Sequence, residues 1–524
     1  MNNSNRYHLL ESGNRQLLKP RMRSPSKMMY LSLFILVTGV TLCALNIYQL
    51  HRIKEDHMFH HAAGPIVEGS NDENKQKSEK PIAWVAGKNL HTGYLKHVFD
   101  VLSHVGFVTG DYTADWSLLW SHDYPFKTFA PQLSSLKPYQ KINHFPGSGY
   151  ITNKVSLATS TMKFIPRAFK LPEDRDKFLS FSQDHPEVMW VQKSNTHRGI
   201  QIRNTSDLDL KKEGSFIQEY VSKPFLIDKH KFDIGVYTIL TSINPLRVYI
   251  VEGDILFRFC PQEYYPFDPQ NRDKYVVGDD YLPMWKVSSL KDIHQRHGFS
   301  FKDTFNIYMK SKGLDYEKVW RDIRSAIATV YLEKESKLIE SALAYLDTNN
   351  FFEMVRFDFV LDEALNVFLM EANMSPNLSS SHFPPNKRLY EHVIFNVLGL
   401  IGLTHWMSSK QVNYEDEMRV SSADVNVFPE VCTNSTCASS CMDILCRLCK
   451  HCRTHSVEKT LKIAYLEHVQ QGSCRRIFPP ALNRSEVLAW NPKSSWPGTE
   501  ELTESNKLMY LWFLGMCHKD LSWC

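Results

Sequence analysis

A short acidic hairpin constrains the fold of this chain more than any other feature of its sequence. The segments Arg356–Asp362 and Phe368–Pro376 are rich in Phe, Val, Leu and Met, and the few residues between them suit a turn. Because side chains alternate between the two faces of a strand, Glu371 and Asn373 share one face, and pairing of the two segments sets Asp358 beside them. The sequence therefore predicts two antiparallel strands whose oxygen ligands converge.

These oxygen ligands indicate a magnesium site. Magnesium prefers carboxylate and amide oxygens and leaves room for the phosphates of a substrate. The alternative is that Asp358 and Glu371 are ordinary solvated carboxylates on the protein surface. Their apolar neighbours disfavour that alternative, because a buried charge without a partner is costly. We therefore predict that Asp358, Glu371 and Asn373 bind Mg²⁺.

Strand and helix patterns surround the hairpin. Runs of β-branched and aromatic residues predict strands, and apolar residues three and four apart predict helices from Tyr316 to Leu346. This combination predicts an α+β layered body rather than a helix bundle. Besides the hairpin, the predicted strands are Pro81–Ala86, Met189–Gln192, Phe216–Val221, Val236–Thr241 and Arg247–Val251.

Length and charge limit the class of protein. A chain of 524 residues with 43% hydrophobic content exceeds what one compact core holds, so we expect two or three packed lobes. A net charge of +4 is small for this length and gives no reason to expect nucleic acid as a partner. The same charge does not oppose an acidic protein partner.

An apolar stretch near the start predicts a membrane anchor. Met28 to Leu50 contains no Asp, Glu, Lys, Arg or His, and about 20 such residues cross a bilayer as a helix. The alternative, a buried core helix, is disfavoured by this length. More basic residues precede the stretch than follow it, which predicts a cytoplasmic tail. We therefore expect a single-pass type II membrane protein of the endoplasmic reticulum or Golgi with a lumenal body.

The chain divides into six predicted regions. Residues 55–80 are polar and mixed in charge, which indicates a flexible stalk, and folding resumes at Pro81. The predicted regions are a cytoplasmic tail over 1–27, a transmembrane helix over 28–50, a stalk over 51–80, an N-terminal lobe over 81–149, a main body over 150–405 and a Cys-rich region over 406–524.

Cysteines concentrate near the C-terminus, where nine of the eleven follow position 430. In an oxidising compartment they would form disulfides that stabilise a small appendage. In a reducing compartment, Cys446, Cys449 and Cys452 with His451 could bind zinc, although their spacing is tight for a standard site. We favour disulfides. Weak support for the lumenal side comes from the sequons at Asn204, Asn434 and Asn483.

A series of further motifs occurs in order through the middle of the chain. They are Asn143–Gly147, Thr152–Lys154, Phe164–Arg167, Phe216–Val221, Pro224–Ile227, Lys231–Ile234 and Pro245–Tyr249. Together with the acidic hairpin, these motifs resemble the tubulin tyrosine ligase-like family over about residues 135–405. The resemblance implies that the main body is an ATP-grasp ligase domain of a polyglutamylase-like, membrane-anchored member.

The resemblance also implies roles for individual residues. The hairpin resembles the strands that bind magnesium, and Arg258 resembles the arginine that meets the reacting carboxylate. We therefore expect Glu371 and Arg258 to be catalytic. The residues that the resemblance assigns to ATP and the adjoining substrate are the phosphate-binding Lys154 and Lys193, the adenine hinge Gln218, Glu219, Tyr220 and Val221, and the pair Lys231 and Asp233.

The implied chemistry is ATP-dependent ligation with Mg²⁺. ATP phosphorylates a protein carboxylate, and the amine of a free amino acid then displaces phosphate. Electrostatic stabilisation of the transferring group is the main requirement, so no nucleophilic side chain is needed. The resemblance implies that the amino acid is glutamate and that the acceptor is a glutamate side chain of tubulin. For a lumenal body, another acidic protein becomes the expected acceptor.

The sequence departs from the family pattern in three places. Lys193–Ile200, which resembles the loop over the phosphates, has one glycine and is short. Gly235 stands where the family's Lys-Phe-Asp-x-Arg motif has an arginine. Asp273–Asp280 occupies the place of a His-Leu-Thr-Asn signature. These departures leave a second hypothesis open, in which the chain is a catalytically impaired nucleotide-binding protein or a lumenal scaffold.

Overall fold

The computed structural model describes residues 80–194, 200–203, 205–404, 419–490 and 498–524. Within these ranges the chain forms three β-sheets, and helices pack against and between them. The architecture is a mixed α/β one, which agrees with the layered body that the sequence predicts.

The first sheet lies in the N-terminal part and is parallel. Its order is β2-β1-β3-β4, and helix α1 packs beside β2. β1 and β3 are buried along most of their length, as expected for parallel strands that are covered on both faces. The strands are β1 (Ile82–Ala86), β2 (Val108–Gly110), β3 (Leu118–Ser121) and β4 (Lys141–Ile142).

The second sheet is antiparallel and has the order β5-β8-β6-β7. Its central strands β8 and β6 contain the predicted strand segments Phe216–Val221 and Met189–Gln192 in large part, so both strand predictions are confirmed. The strands are β5 (Ala168–Leu171), β6 (Trp190–Ser194), β7 (Gln201–Arg203) and β8 (Ser215–Glu219).

The third and largest sheet is built around β9. All 12 residues of β9 are buried, because apolar cores cover both faces of the strand. β13 pairs along one edge of β9, and β10 and β11 divide the other edge between them. The predicted hairpin is confirmed as β13 and β14. The strands are β9 (Phe232–Ile243), β10 (Leu246–Val251), β11 (Leu256–Phe259), β12 (Leu282–Pro283), β13 (Glu353–Leu361), β14 (Val367–Asn373) and β15 (Cys474–Phe478).

Helices cover both faces of the third sheet. The longest is the predicted helix, which begins at an Asp315 side chain that accepts a hydrogen bond from the Lys318 N–H. The helices are α1 (Lys96–His104), α2 (Pro125–Thr128), α3 (Ala130–Leu133), α4 (Gly149–Thr152), α5 (Lys154–Ala158), α6 (Arg175–Asp184), α7 (Ser288–His297), α8 (Phe301–Ser311), α9 (Tyr316–Ala342), α10 (Asn386–Leu400), α11 (Pro429–Cys432), α12 (Ser435–Ser439), α13 (His455–Val469), α14 (Arg484–Ala489) and α15 (Glu504–Lys519).

Alternation along β9 separates two apolar cores. Ile234 and Val236 belong to the core that contains the buried face of α9. Tyr237 and Ile239 belong to the core that contains the buried face of α10. Because side chains alternate, Asp233 faces the α10 side near the start of the strand. Polar chemistry is therefore placed at one end of an otherwise apolar sheet face.

The C-terminal region joins the third sheet. β15 pairs antiparallel with β10, so this region is not the separate appendage that the sequence predicts. The buried Arg247 on β10 donates through Nε and Nη2 to Glu467 on α13 at 2.8 and 3.0 Å. The Tyr249 hydroxyl donates to the same carboxylate at 2.9 Å. Backbone pairing and this buried ion pair together fix the region to the body.

Disulfides cross-link the C-terminal region, which confirms that interpretation over the zinc alternative. Cys260 and Cys474 are buried thiols. The side-chain oxygens of Asn434 and Asn483 cap the first turns of α12 and α14, which gives these two sequon residues a structural role, and Asn204 lies outside the described residues. The pairs are Cys432–Cys449, Cys437–Cys446, Cys441–Cys452 and Cys517–Cys524.

The membrane-spanning part of the predicted fold class needs correction. The segment Met28–Leu50 lies outside the described residues. Among the helices of the described ranges, none is both long and apolar enough to cross a membrane. Helix α9 has 27 residues, but charged residues recur along its sequence. The fold that the structure shows is therefore a mixed α/β body without a membrane-spanning helix among its described elements.

Glu467→Gln tests the attachment of the C-terminal region. The substitution keeps the shape of the side chain but leaves the buried Arg247 charge without its partner, so we expect the free energy of unfolding to fall by about 3–5 kcal/mol. Urea denaturation followed by tryptophan fluorescence measures the change. Glu340→Gln, in an exposed ion pair with Lys337 on α9, should leave the midpoint unchanged. Equal midpoints for both variants would contradict a stabilising role.

Candidate functional site

Charged side chains on three neighbouring strands meet near the start of β9. Asp358 on β13 lies opposite Gly235 on β9, and Arg258 on β11 lies opposite Asp233 on β9. Arg258 Nε and Nη2 donate to the two Asp233 oxygens at 2.9 and 2.7 Å. The same Nη2 donates to Asp358 Oδ2 at 3.0 Å. Arg258, predicted as catalytic, thus bridges two carboxylates from different strands.

The acidic hairpin brings the three predicted metal ligands together. Asp358 lies directly opposite Glu371, and the register shifts by a bulge immediately after Asp358. Asn373 Nδ2 donates to Asp358 Oδ2 at 3.0 Å and to Glu371 Oε1 at 3.2 Å. The amide nitrogen of Asn373 therefore lies between the two carboxylates. A cation at this position would be attracted by both of them.

The chemistry of these donors fits magnesium. Two carboxylates and one amide are hard oxygen donors, and the amide of Asn373 presents its carbonyl oxygen instead of its nitrogen when it turns over. Asp358 accepts four hydrogen bonds, three of them at Oδ2, and turning over of the Asn373 amide would free one of these acceptor positions for the ion. Asp358, Glu371 and Asn373 are therefore the residues that would hold the ion.

Lys154 compensates the charge of Glu371. Its Nζ lies 2.7 Å from Glu371 Oε2. Burial by itself raises the pKa of Glu371, but Lys154, together with the Asn373 hydrogen bond and the more distant Arg356, outweighs this effect and holds that pKa at about 2. Glu371 is therefore a carboxylate throughout the neutral pH range. Such a group is a good metal ligand and a poor general base.

Two further lysines face the cleft with little compensation. Lys193 Nζ donates to the amide oxygen of Gln218 at 2.9 Å. Burial, with the like charges of Lys231 and Lys154, lowers the pKa of Lys193 to about 8, although Glu371 opposes the shift. Burial also lowers the pKa of Lys231. Both ammonium groups would be stabilised by an anionic ligand.

The predicted adenine hinge connects the second and third sheets. Gln218 is buried, and its side-chain nitrogen donates to the Pro166 carbonyl at 3.3 Å. Glu219 and Tyr220 line the same cleft as the lysines and carboxylates. Val221 lines a neighbouring cavity, which Glu219 and Tyr220 also line. Val221 therefore lines this neighbouring cavity and not the cleft itself.

The segment that replaces the His-Leu-Thr-Asn signature forms a wall of the cleft. Tyr275, Val276 and Val277 line it, and the Tyr275 carbonyl accepts a hydrogen bond from Lys231 Nζ at 3.1 Å. The contribution of this segment is therefore an apolar surface and a backbone oxygen rather than polar side chains. The short loop after Lys193 falls largely within residues 195–199, which lie outside the described ranges.

Arg356 is a residue of the site that the motif analysis did not single out. It is buried on β13, and its Nε and Nη2 donate to the two oxygens of Asp358 at 2.7 and 2.8 Å. The strand period gives the signal that could have found it, because a residue two positions before Asp358 projects to the same face. Arg356 is therefore a buried arginine directly beside a predicted metal ligand.

The cleft between the second and third sheets, with lysines on one side and a carboxylate hairpin on the other, defines an ATP-grasp-like fold. The tubulin-tyrosine ligase family matches residues 132–411, and the chain belongs to that family. The prediction of a ligase of this family is therefore confirmed.

Relatives of the chain carry names that refer to tubulin. The chain is 38% identical over 488 residues to the probable tubulin polyglutamylase ttll-15 of Caenorhabditis elegans, an alignment that covers 89% of this chain and 92% of the worm protein. It is 30% identical to mouse tubulin polyglutamylase TTLL6 over 58% of this chain and 39% of that protein. It is 26% identical to human tubulin monoglutamylase TTLL4 over 66% of this chain and 30% of that protein.

These findings correct the predicted localisation. The sequence predicts a single-pass type II protein of the endoplasmic reticulum or Golgi with a lumenal body. The described helices include none that could cross a membrane, and the relatives are named for the modification of tubulin. These two findings contradict the predicted localisation, and the described part of the chain gives no support for the membrane among the predicted partners.

The pKa of Lys193 predicts how nucleotide binding responds to pH. A bound phosphate stabilises the charged ammonium, so binding above the free-state pKa of about 8 must take up a proton. Affinity for magnesium-ATP should therefore fall by about tenfold between pH 7 and pH 9. Isothermal titration calorimetry measures this, and Lys193→Arg, which stays charged, should flatten the profile. An unchanged slope in that variant would assign the proton to another group.

Proposed function

We propose that the chain is an ATP-dependent ligase that joins free glutamate to glutamate side chains of tubulin through an acyl phosphate. The observation that carries the proposal is the convergence of Asp358, Glu371 and Asn373 in a cleft whose other wall bears lysines. The names of the relatives support glutamate as the amino acid and tubulin as the acceptor.

The balance of charge favours anionic ligands. Five cations and four carboxylates meet in and around the cleft, so the site has one positive charge in excess. The cations are Arg258, Arg356, Lys154, Lys193 and Lys231, and the carboxylates are Asp233, Asp358, Glu371 and Glu219. ATP, an acceptor carboxylate and free glutamate are all anions, so this excess attracts each participant of the proposed reaction.

In the first step, Lys154 and Lys193 bind the phosphates of ATP and orient the terminal phosphorus. An acceptor carboxylate oxygen attacks that phosphorus, and ADP departs with the electrons of the broken bond. Bound Mg²⁺ would supply positive charge that neutralises the phosphate oxygens. Glu371 binds and does not transfer protons, since its pKa is about 2.

In the second step, the uncharged amine of free glutamate attacks the acyl carbon. As the amide bond forms, the bond from that carbon to the phosphate oxygen breaks, and inorganic phosphate leaves with its electrons and takes up the amine proton. Arg258 is placed to bind a carboxylate or phosphate oxygen, because its guanidinium is partly exposed in the cleft. The apolar wall that includes Val276 and Val277 excludes water from the acyl phosphate. Exclusion of water matters because hydrolysis would waste the activated acceptor.

Glu371→Gln tests the site assignment. The variant keeps hydrogen-bonding capacity but removes the charge, so ligation should fall by at least about 100-fold while the fold is retained. Incorporation of labelled glutamate into tubulin measures the reaction, and circular dichroism checks the fold. Glu363→Gln, at the exposed turn of the same hairpin, is the matched control and should keep full activity. Wild-type incorporation by Glu371→Gln would refute the assignment.

The acceptor is tested separately by mass spectrometry of the products. Incubation with tubulin, ATP, Mg²⁺ and glutamate should add glutamyl units to acceptor glutamates, and omission of Mg²⁺ should abolish the addition. Glycine offered in place of glutamate should give no product. Addition to a mixture of acidic proteins but not to tubulin would overturn the choice of acceptor while leaving ligase chemistry in place.

A further inference from the structure

Two arginines compensate the charge of the two buried aspartates of the site. Arg258 alone would have to neutralise both Asp233 and Asp358, because its Nη2 contacts both carboxylates. Arg356 supplies a second guanidinium and uses two nitrogens on Asp358 alone. With Arg356 present, each aspartate has one arginine.

The position of Arg356 depends on Gly235. Gly235 lies directly opposite Asp358 in the pairing of β9 with β13. A Cβ atom added at Gly235 would lie 3.0 Å from Arg356 Cδ, 3.2 Å from Asp358 Oδ1 and 3.3 Å from Arg356 Nε. The space over the glycine is therefore filled by the Arg356–Asp358 pair, and a longer side chain at 235 could not share it.

We propose that Arg356 is a positioning residue of the ligase site and that Arg356 and Gly235 are an exchanged pair. In this pair, the guanidinium of Arg356 on β13 occupies the space that an arginine side chain at position 235 would occupy. The inference rests on the proposed function, because it assigns Arg356 to the same reaction. The resemblance implies an arginine at the position of Gly235, and the adjacent strand places a guanidinium in that space instead.

Arg356 acts through Asp358 rather than on the ligand. It is 6% exposed and directs Nε and Nη2 to Asp358, so these two nitrogens do not reach a substrate in the cleft. The two guanidinium nitrogens that donate to Asp358 fix the orientation of its carboxylate and compensate its charge. Arg258 can then turn from Asp358 to an incoming anion without leaving a buried carboxylate unpaired. Arg356 therefore holds the site in place, and Arg258 binds the ligand.

Arg356→Lys is the first test, in the full-length protein. A lysine keeps the charge but cannot form the two parallel bonds to Asp358. The Mg²⁺ concentration needed for half-maximal ATP binding should rise by about 10- to 100-fold, the range expected for loss of a charge-assisted hydrogen bond. Titration of ATP binding with Mg²⁺ by calorimetry measures this without requiring turnover. An unchanged Mg²⁺ requirement would overturn the proposal.

Arg247→Lys is the matched control. Arg247 is also buried and also forms two bonds with one carboxylate, that of Glu467, but it lies outside the cleft. Both variants should lower the melting temperature, whereas Arg356→Lys alone should raise the Mg²⁺ requirement. An equal increase in both variants would show that loss of stability accounts for the effect and would overturn the positioning role.

Exchange of the two residues is the second test. Gly235→Arg should weaken magnesium-ATP binding because of the short contacts with Arg356, and Arg356→Gly should weaken it by loss of the guanidinium. The double variant G235R/R356G restores one arginine beside Asp358, so its affinity for magnesium-ATP should recover to within about fivefold of wild type. Such a recovery would show that the two neighbouring positions are strongly coupled. A double variant no tighter than either single variant would overturn the exchanged pair.

The proposed function and this inference can fail separately. A wild-type protein that binds magnesium-ATP but transfers no glutamate would refute the proposed function, and the Mg²⁺ titrations would still decide the role of Arg356. A wild-type protein that does not bind magnesium-ATP would refute both.

Discussion

A row of alternating charges runs from Arg356 through Asp358 and Arg258 to Asp233 and crosses three strands of the third sheet. Each member is buried or nearly so, and each charge is compensated by its neighbour in the row. Such a row tolerates no slip of register, since a shift by one residue would turn every side chain to the opposite face. The pairing of β9 with β11 and β13 is thus fixed by electrostatics as well as by apolar packing.

The second sheet contributes the complementary half of the site. Its lysine on β6 and the buried Lys231 remain undercompensated, and burial lowers the pKa of both. The third sheet, in contrast, contains carboxylates that are fully paired. A ligand that bears phosphates satisfies Lys193 of the second sheet and Lys231 next to β9, and it approaches the carboxylate hairpin of the third sheet. The cleft between the two sheets is therefore the place for the chemistry.

Local patterns in the sequence predicted the local structure well. The period-two alternation of the hairpin placed Asp358 beside Glu371, and the period of α9 located its start to the residue. Contacts between distant segments were not accessible in this way. The role of Arg356 depends on the absence of a side chain at Gly235 more than 100 positions earlier, and the buried partner of Arg247 lies on α13. Pairings of this kind are set by tertiary packing, which no local period encodes.

The pairing of β15 with β10 joins residues that are more than 200 positions apart, since Val251 lies opposite Cys474. During synthesis β10 emerges from the ribosome long before β15 does, and its outer edge has no strand partner until the chain is almost complete. Unpaired edges of this kind invite pairing with other chains. A product that terminates before Cys474 would therefore expose an open sheet edge beside an otherwise formed site, and that edge would be open to pairing with other chains.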